Sequence, residues 1–286
     1  MTVSPADAQL IQLWVHGRSR HTRRYYQADA QRFLSFVNKS LVQVTLADIQ
    51  NFSDSLETTN LAPSSCGRII SSVKSLLAFG DRIGILPANV STPIKAPAQK
   101  NTLAERILSE REVRHLINLE TNSRNRVMLR LLYAAGLRVS ELCGLRWRDL
   151  QARSEAEGQI NVYGKGGKTR VVLLPTTIWR ELVSLREAAG FNNPVFQSRK
   201  KGHLHPSQVM RIVRAAAQRA GIDANVSPHW LRHAHASHSL DRGAPIHLVQ
   251  ATLGHSSIAT TGRYLHARPQ DSSARYLELN EGLPQS

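Results

Sequence analysis

The sequence predicts a mainly α protein in two parts, and three observations carry that prediction. Apolar residues recur at helical spacing over most of the 286 residues. The stretch 87–102, PANVSTPIKAPAQKNT, breaks the pattern with three prolines and few apolar side chains. Beyond it lies one β-rich hairpin sequence, GQINVYGKGGKTRVVLLP. The expected organisation is a four-helix N-terminal domain at 1–86, a linker at 87–102, and an α+β domain at 103–286. The second domain is expected to be mostly helical, with a small antiparallel sheet.

Ser4-Pro5 opens the first helix, with Leu10, Leu13 and Trp14 on one face. Thr22 is expected to begin the second, where Tyr25, Tyr26, Phe33, Phe36 and Val37 recur as core residues. Thr45 caps a third helix carrying Leu46, Ile49 and Phe52. Pro63-Ser64 opens a fourth with Ile69, Ile70, Val73, Leu76 and Leu77. In the second part, Ser109 and Glu112 have capping-box spacing. A helix over 127–135 ends at Gly136, and a short one runs from Arg138 to Leu145. After the hairpin, Pro175 opens a helix to Ala189. Further helices are expected at 207–220, 228–240, 245–253 and around 259–264.

The net charge is +16, and the sequence pI is about 10.7, so a polyanionic partner is the first expectation. Residues 1–98 hold ten Lys and Arg against six Asp and Glu, so both parts of the chain are basic. Cys66 and Cys143 are far apart and outside any Cys-x-x-Cys pattern, so no disulfide framework is expected. The N-terminal MTVSPADAQLIQLW does not read as a signal peptide, and no apolar run reaches the ~20 residues of a membrane span. A cytoplasmic location is expected.

Three strings carry residues suited to phosphate chemistry: GLRVSEL (136–142), SPHWLRHA (227–234) and LGHSSIATTGRY (253–264). Arg138 and Glu141 are i, i+3 on one helix, as are His229 and Arg232. Arginine forks match a phosphate and hold developing negative charge. His229 falls in a first helical turn, where anions bind well. Lys165 sits in the Gly-rich hairpin turn, with Lys168 as its competitor. Tyr264 is a candidate nucleophile. Its free pKa of about 10 makes it weak at pH 7, and nearby arginines with a hydrogen-bonding histidine are expected to correct that. Each of these residues alone is equally a solvated surface charge or a core aromatic. His229 and His233 have the i, i+4 spacing of a zinc pair, yet no Glu stands beside the first, so the H-E-x-x-H pattern fails.

Taken together, GLRVSEL, YGKGGKTR, SPHWLRHAHASH and LGHSSIATTGRY resemble the tyrosine recombinase (phage-integrase-type) family, in particular its Xer-like members. The resemblance covers most of the chain, and it makes the first part similar to a SAM-like core-binding domain that clamps DNA. It implies that Arg138 and Arg232 hold the scissile phosphate and that His229 and His255 hydrogen-bond it. It makes Lys165 the general acid toward the departing 5′ oxygen, Glu141 a supporting acid and Tyr264 the nucleophile. The implied activity is site-specific cutting and rejoining of double-stranded DNA through a 3′-phosphotyrosyl link, without metal, ATP or other cofactor. The implied assembly is a homo-tetramer, or a hetero-tetramer with a related recombinase, in which each C-terminal segment docks on a neighbour. Here that segment offers Tyr276, Leu277 and Leu279, and it looks more like recombinases of plasmids than chromosome-dimer-resolving members. A DNA-binding regulator that no longer cuts, a type IB topoisomerase and a metal-dependent hydrolase are the competing readings.

Overall fold

The structure is a computed structural model that describes residues 4–95, 103–164, 167, 169–223 and 225–265. It falls into two compact units, Met1–Asn101 and Thr102–Ser286.

The first unit is four helices: α1 (Pro5–Val15), α2 (Arg20–Val37), α3 (Leu46–Glu57) and α4 (Pro63–Arg82). Ser4 caps α1 by accepting from the Asp7 amide at 3.1 Å. The second helix starts two residues earlier than expected. Ser19 is its cap and accepts from the amide of Thr22, which lies inside the first turn. Thr45 and Asp48 form a capping box on α3. Phe33, Phe52, Ile49, Ile70, Leu76 and Leu77 make the centre of this core. Val90 and Ile94, in the segment read as linker, pack against it. Not every aromatic is core: Tyr25 and Phe36 are exposed. Tyr25 and Tyr26 are adjacent, so they stand ~100° apart on the helix and only one can turn inward. Tyr26 does so, stacking on Trp14 at 4.6 Å with Arg18 over its ring.

The second unit is built around α6 (Ser123–Ala134), whose Met128, Leu129, Leu131 and Leu132 are completely buried. Around it pack α5 (Glu110–Asn118), α8 (Thr176–Ser184) and α10 (Pro228–Asp241). Ser109 and Glu112 form the expected capping box on α5. The remaining helices are α7 (Val139–Gly144), α9 (Pro206–Arg219), α11 (Ile246–Leu253) and α12 (Ile258–Gly262). Helix α8 stops five residues short of the expected end, and Glu187 beyond it adopts φ +42°.

The hairpin is β2 (Gly158–Tyr163) paired antiparallel with β3 (Thr169–Leu174). A third strand, β1 (Leu150–Ala152), completes the order β1-β2-β3. Its sequence, Leu-Gln-Ala, has no β-branched residue, and only pairing with Gly158–Ile160 makes it a strand. Gly158 lies against the indole of Trp179 on α8, and a Cβ there would overlap the ring. Gly158→Ala is therefore expected to destabilise this unit by about 1–3 kcal/mol, read by urea unfolding. An unchanged midpoint would mean that Trp179 moves aside at no cost.

Cys66 and Cys143 are both buried free thiols. Among the described residues, no helix is long and apolar enough to cross a membrane.

Candidate active site

Gly136 ends the turn after α6 with φ +56°, a conformation that favours glycine. A Cβ there would also meet Leu253 at 2.6 Å. Two residues on, Arg138 is the N-cap of α7 and offers no side-chain oxygen to cap it. Glu141 serves instead, accepting from the Arg138 amide at 2.8 Å and from Arg138 Nη1 at 2.8 Å. The same carboxylate accepts two bonds from Arg170 of β3, at 2.9 and 2.8 Å. Burial alone would raise the Glu141 pKa; the hydrogen bonds from Arg170 and Arg138 outweigh it and bring it to about 2.

Helix α10 opens on Pro228, with His229 next in its first turn. Arg232 is 4% exposed, and Nη2 donates to the Leu253 carbonyl at 2.7 Å while Nη1 donates to that of Gly136. Burial, then the neighbouring Arg138 charge, lowers its pKa to about 10, so it stays charged at neutral pH. Burial, with the charges of Arg232 and Arg138, also holds His229 below its usual value.

Helix α11 ends in Gly254, left-handed at φ +64°, and the chain turns directly into His255. Arg138 Nη2 reaches the Gly254 carbonyl at 3.2 Å. His255 Nδ1 bonds the buried Thr261 hydroxyl at 2.9 Å, which orients its ring and leaves Nε2 on the other side. Burial and the charges of Arg232 and Arg138 lower its pKa to about 4. Tyr264 follows α12 and is 6% exposed, its ring packed with Ala236, Val249 and Leu253. Its hydroxyl bonds His233 Nδ1 at 2.8 Å. The expected depression of the tyrosine pKa is not found in this state. Burial raises it, and Arg232 and Arg263 offset only part of the rise.

Arg138, Glu141, His229, Arg232, His255 and Tyr264 thus gather around the end of α11, each within electrostatic reach of Arg232 or hydrogen-bonded beside it. Lys165 lies outside the described residues, as does Lys168. Three further residues of this site are not among the candidates the sequence nominated, and only the first of them carried a usable signal. Arg170 shares strand parity with buried Val172 and Leu174, so period-2 alternation already put an arginine on the inward face. His233 reads in sequence only as half of a zinc pair; its ring lies 6.3 Å from that of His229 and bonds the tyrosine instead. Thr261 carries no sequence signal. Among the described residues, no group of three or more His, Cys, Asp or Glu side chains is placed to hold a metal ion.

Burial likewise lowers His233 and His235 to about 4. Their folded pKa values lie below the ordinary 6.5, so unfolding takes up protons between these limits. The second unit is expected to keep its full stability above pH 6.5 and lose it progressively toward pH 4. A thermal midpoint flat across that window would contradict the buried, neutral histidines.

The sequence profile of the phage integrase family matches residues 106–271. That of the phage integrase N-terminal SAM-like domain matches residues 9–82. A tyrosine recombinase of Thermosipho africanus is 35% identical over 269 residues, covering 90% of this chain and 92% of that protein. The crystal structure of the XerA recombinase is similar over 94% of this chain and 96% of its own, at 29% identity and a TM-score of 0.51. A lambda integrase dimer bound to a COC′ core site shares the fold, with a TM-score of 0.76 at 18% identity over 95% and 98% of the two chains.

Proposed function

The chain belongs to the phage integrase family, and we propose that it recombines DNA site-specifically with Tyr264 as nucleophile and Arg138, Arg232, His229 and His255 around the scissile phosphate. The observation that carries this reading is the convergence at the end of α11. There two arginines from separate helices bond successive carbonyls, of Leu253 and Gly254, one residue before His255.

The chemistry follows from what each side chain has left to offer. The Arg138 side chain engages two of its five N–H groups, with Glu141 and Gly254, and is one-third exposed, so it can still donate to a phosphate oxygen. Arg232 contributes charge from a buried site, where it is screened least. Tyr264 Oη forms a bond to phosphorus as the bond to the 5′ oxygen breaks. The tyrosine proton passes to a base, and Lys165 supplies a proton to the 5′ oxygen. The new 3′-phosphotyrosyl ester keeps the bond energy. A 5′-hydroxyl from the partner strand then attacks it, releasing Tyr264 and resealing the backbone. Two duplexes present four strands with one nucleophile each, so the exchange calls for four protomers. Burial and the neighbouring arginines lower the pKa of His229 and His255, and a phosphate beside them would favour their charged forms.

The N-terminal unit would also bind the duplex, and the C-terminal segment with Tyr276, Leu277 and Leu279 would dock on a neighbour; that segment lies outside the described residues. Such a protein acts on chromosomal or plasmid DNA in the cytoplasm.

A duplex nicked just past its scissile phosphate loses the short 5′ fragment and traps the covalent intermediate. The protein is expected to form this adduct in chelator and without nucleotide. Peptide mapping should find the DNA on Tyr264. Attachment at Tyr276 or any other residue would sink the assignment.

A further inference from the structure

An α-helix leaves its last carbonyls without partners inside the helix. At the end of α11 the amides of Gly254 and His255 turn back to Ala251 and Gln250. The next three carbonyls each accept from a different arginine. Thr252 takes Arg170 Nε at 2.7 Å, Leu253 takes Arg232 Nη2 at 2.7 Å, and Gly254 takes Arg138 Nη2 at 3.2 Å. The negative end of the helix dipole thus collects three cations that would otherwise repel one another.

Arg170 differs from the other two. Its side chain is 11% exposed, and the bonds to Glu141 and Thr252 occupy its Nε and both Nη atoms. All three of its nitrogens are turned into these protein partners. Glu141 in turn accepts four bonds, two from Arg170 and two from Arg138. Arg170 also stands on β3, five residues after Lys165 in sequence, and its side chain lies 3.1 Å from where a Cβ on Gly254 would be.

We propose that Arg170 is a positioning residue for strand cleavage: anchored on the Thr252 carbonyl, it sets the direction of the Arg138 guanidinium through Glu141. This rests on the reading of Arg138 as a phosphate clamp. Lysine cannot replace it, because an ammonium has no planar fork to match Glu141 and reach Thr252 together. A misplacement of ~1 Å in such a clamp costs up to about 10²-fold in rate.

The test is a double-mutant cycle of Arg170→Lys and Arg138→Ala. Adduct formation is measured on a duplex whose scissile phosphate bears a bridging 5′ sulfur. That leaving group departs without a proton donor, which keeps weakened variants measurable. Thermal midpoints and duplex affinity are recorded for all four proteins. Arg170→Lys is expected to slow adduct formation by roughly 10- to 100-fold, with affinity changed less than about threefold because the residue meets no phosphate. In the Arg138→Ala background it should add no further loss. Additive losses, or no loss from Arg170→Lys alone, overturn the proposal while Arg138 keeps its role. If Arg138→Ala itself reacts at the parent rate, the clamp reading fails first and this inference falls with it. Should Arg170→Lys fail to fold, Glu141→Gln, the next link, goes through the same cycle: a loss that vanishes in the Arg138→Ala background supports the proposal, and an additive loss or none overturns it.

Discussion

Replacing Tyr264 by phenylalanine is expected to remove covalent adduct formation, by roughly four orders of magnitude or more, while duplex affinity and its salt dependence stay as they were. In the proposed mechanism the hydroxyl is the atom that bonds phosphorus, and phenylalanine has none. Duplex affinity, by contrast, comes from many lysine and arginine contacts with the backbone, each releasing counterions. The substitution is gentle on the fold. The ring stays packed with Ala236, Val249 and Leu253, and only the bond to His233 is lost, at about 1 kcal/mol. Gel-shift titration at two salt concentrations, beside the nicked-substrate assay, separates the two effects. Adducts from the phenylalanine variant would end the assignment; parallel loss of binding would mean that Tyr264 supports the DNA surface rather than the chemistry.

Arg232 should show the opposite balance, with activity and stability falling together. It is 4% exposed and bridges the carbonyls of Gly136 and Leu253, tying the turn after α6 to the end of α11. Arg232→Ala leaves both carbonyls buried without that donor, at about 1–3 kcal/mol each. For a unit of this size that lowers the thermal midpoint by roughly 2–4 °C per kcal/mol. On the proposed reading it also removes a fixed charge from the reacting phosphate, worth about 10²–10³ in rate for one such donor. Arg232→Lys keeps the charge but not the fork, so it should recover stability only in part and activity little. Arg138→Ala is the control: one-third exposed at the start of α7, it should lose comparable activity with far less stability. Equal thermal losses at the two arginines would refute this division between a buried strut and an exposed clamp.

Much of the fold was legible because local physics wrote it. The Ser4, Thr45 and Ser109 caps, Pro63 and Pro228 at helix starts, and Gly136 and Gly254 at helix ends all sit where short-range rules put them. The misses come where a partner distant in sequence decides. Strand β1 exists because β2 offers an edge, and Tyr25 is exposed because Tyr26 won the inward position beside Trp14. Around the site, order and residue type were enough to nominate Arg138, Glu141, His229, Arg232, His255 and Tyr264. They were not enough to say how those groups hold one another.

By itself the sequence determined a basic chain of two parts and a set of phosphate-seeking side chains in a fixed order, since charge, periodicity and residue chemistry are local properties. Only the tertiary structure decided that three arginines share three successive carbonyls at one helix end. It also decided that Glu141 is saturated by two of them, and that Tyr264 rests against His233 with its proton held more firmly than in water. The reason is burial. Whether an arginine is a clamp or a strut, and whether a tyrosine is ready or resting, depends on which partners replace the water it leaves, and those come from segments far away in the chain.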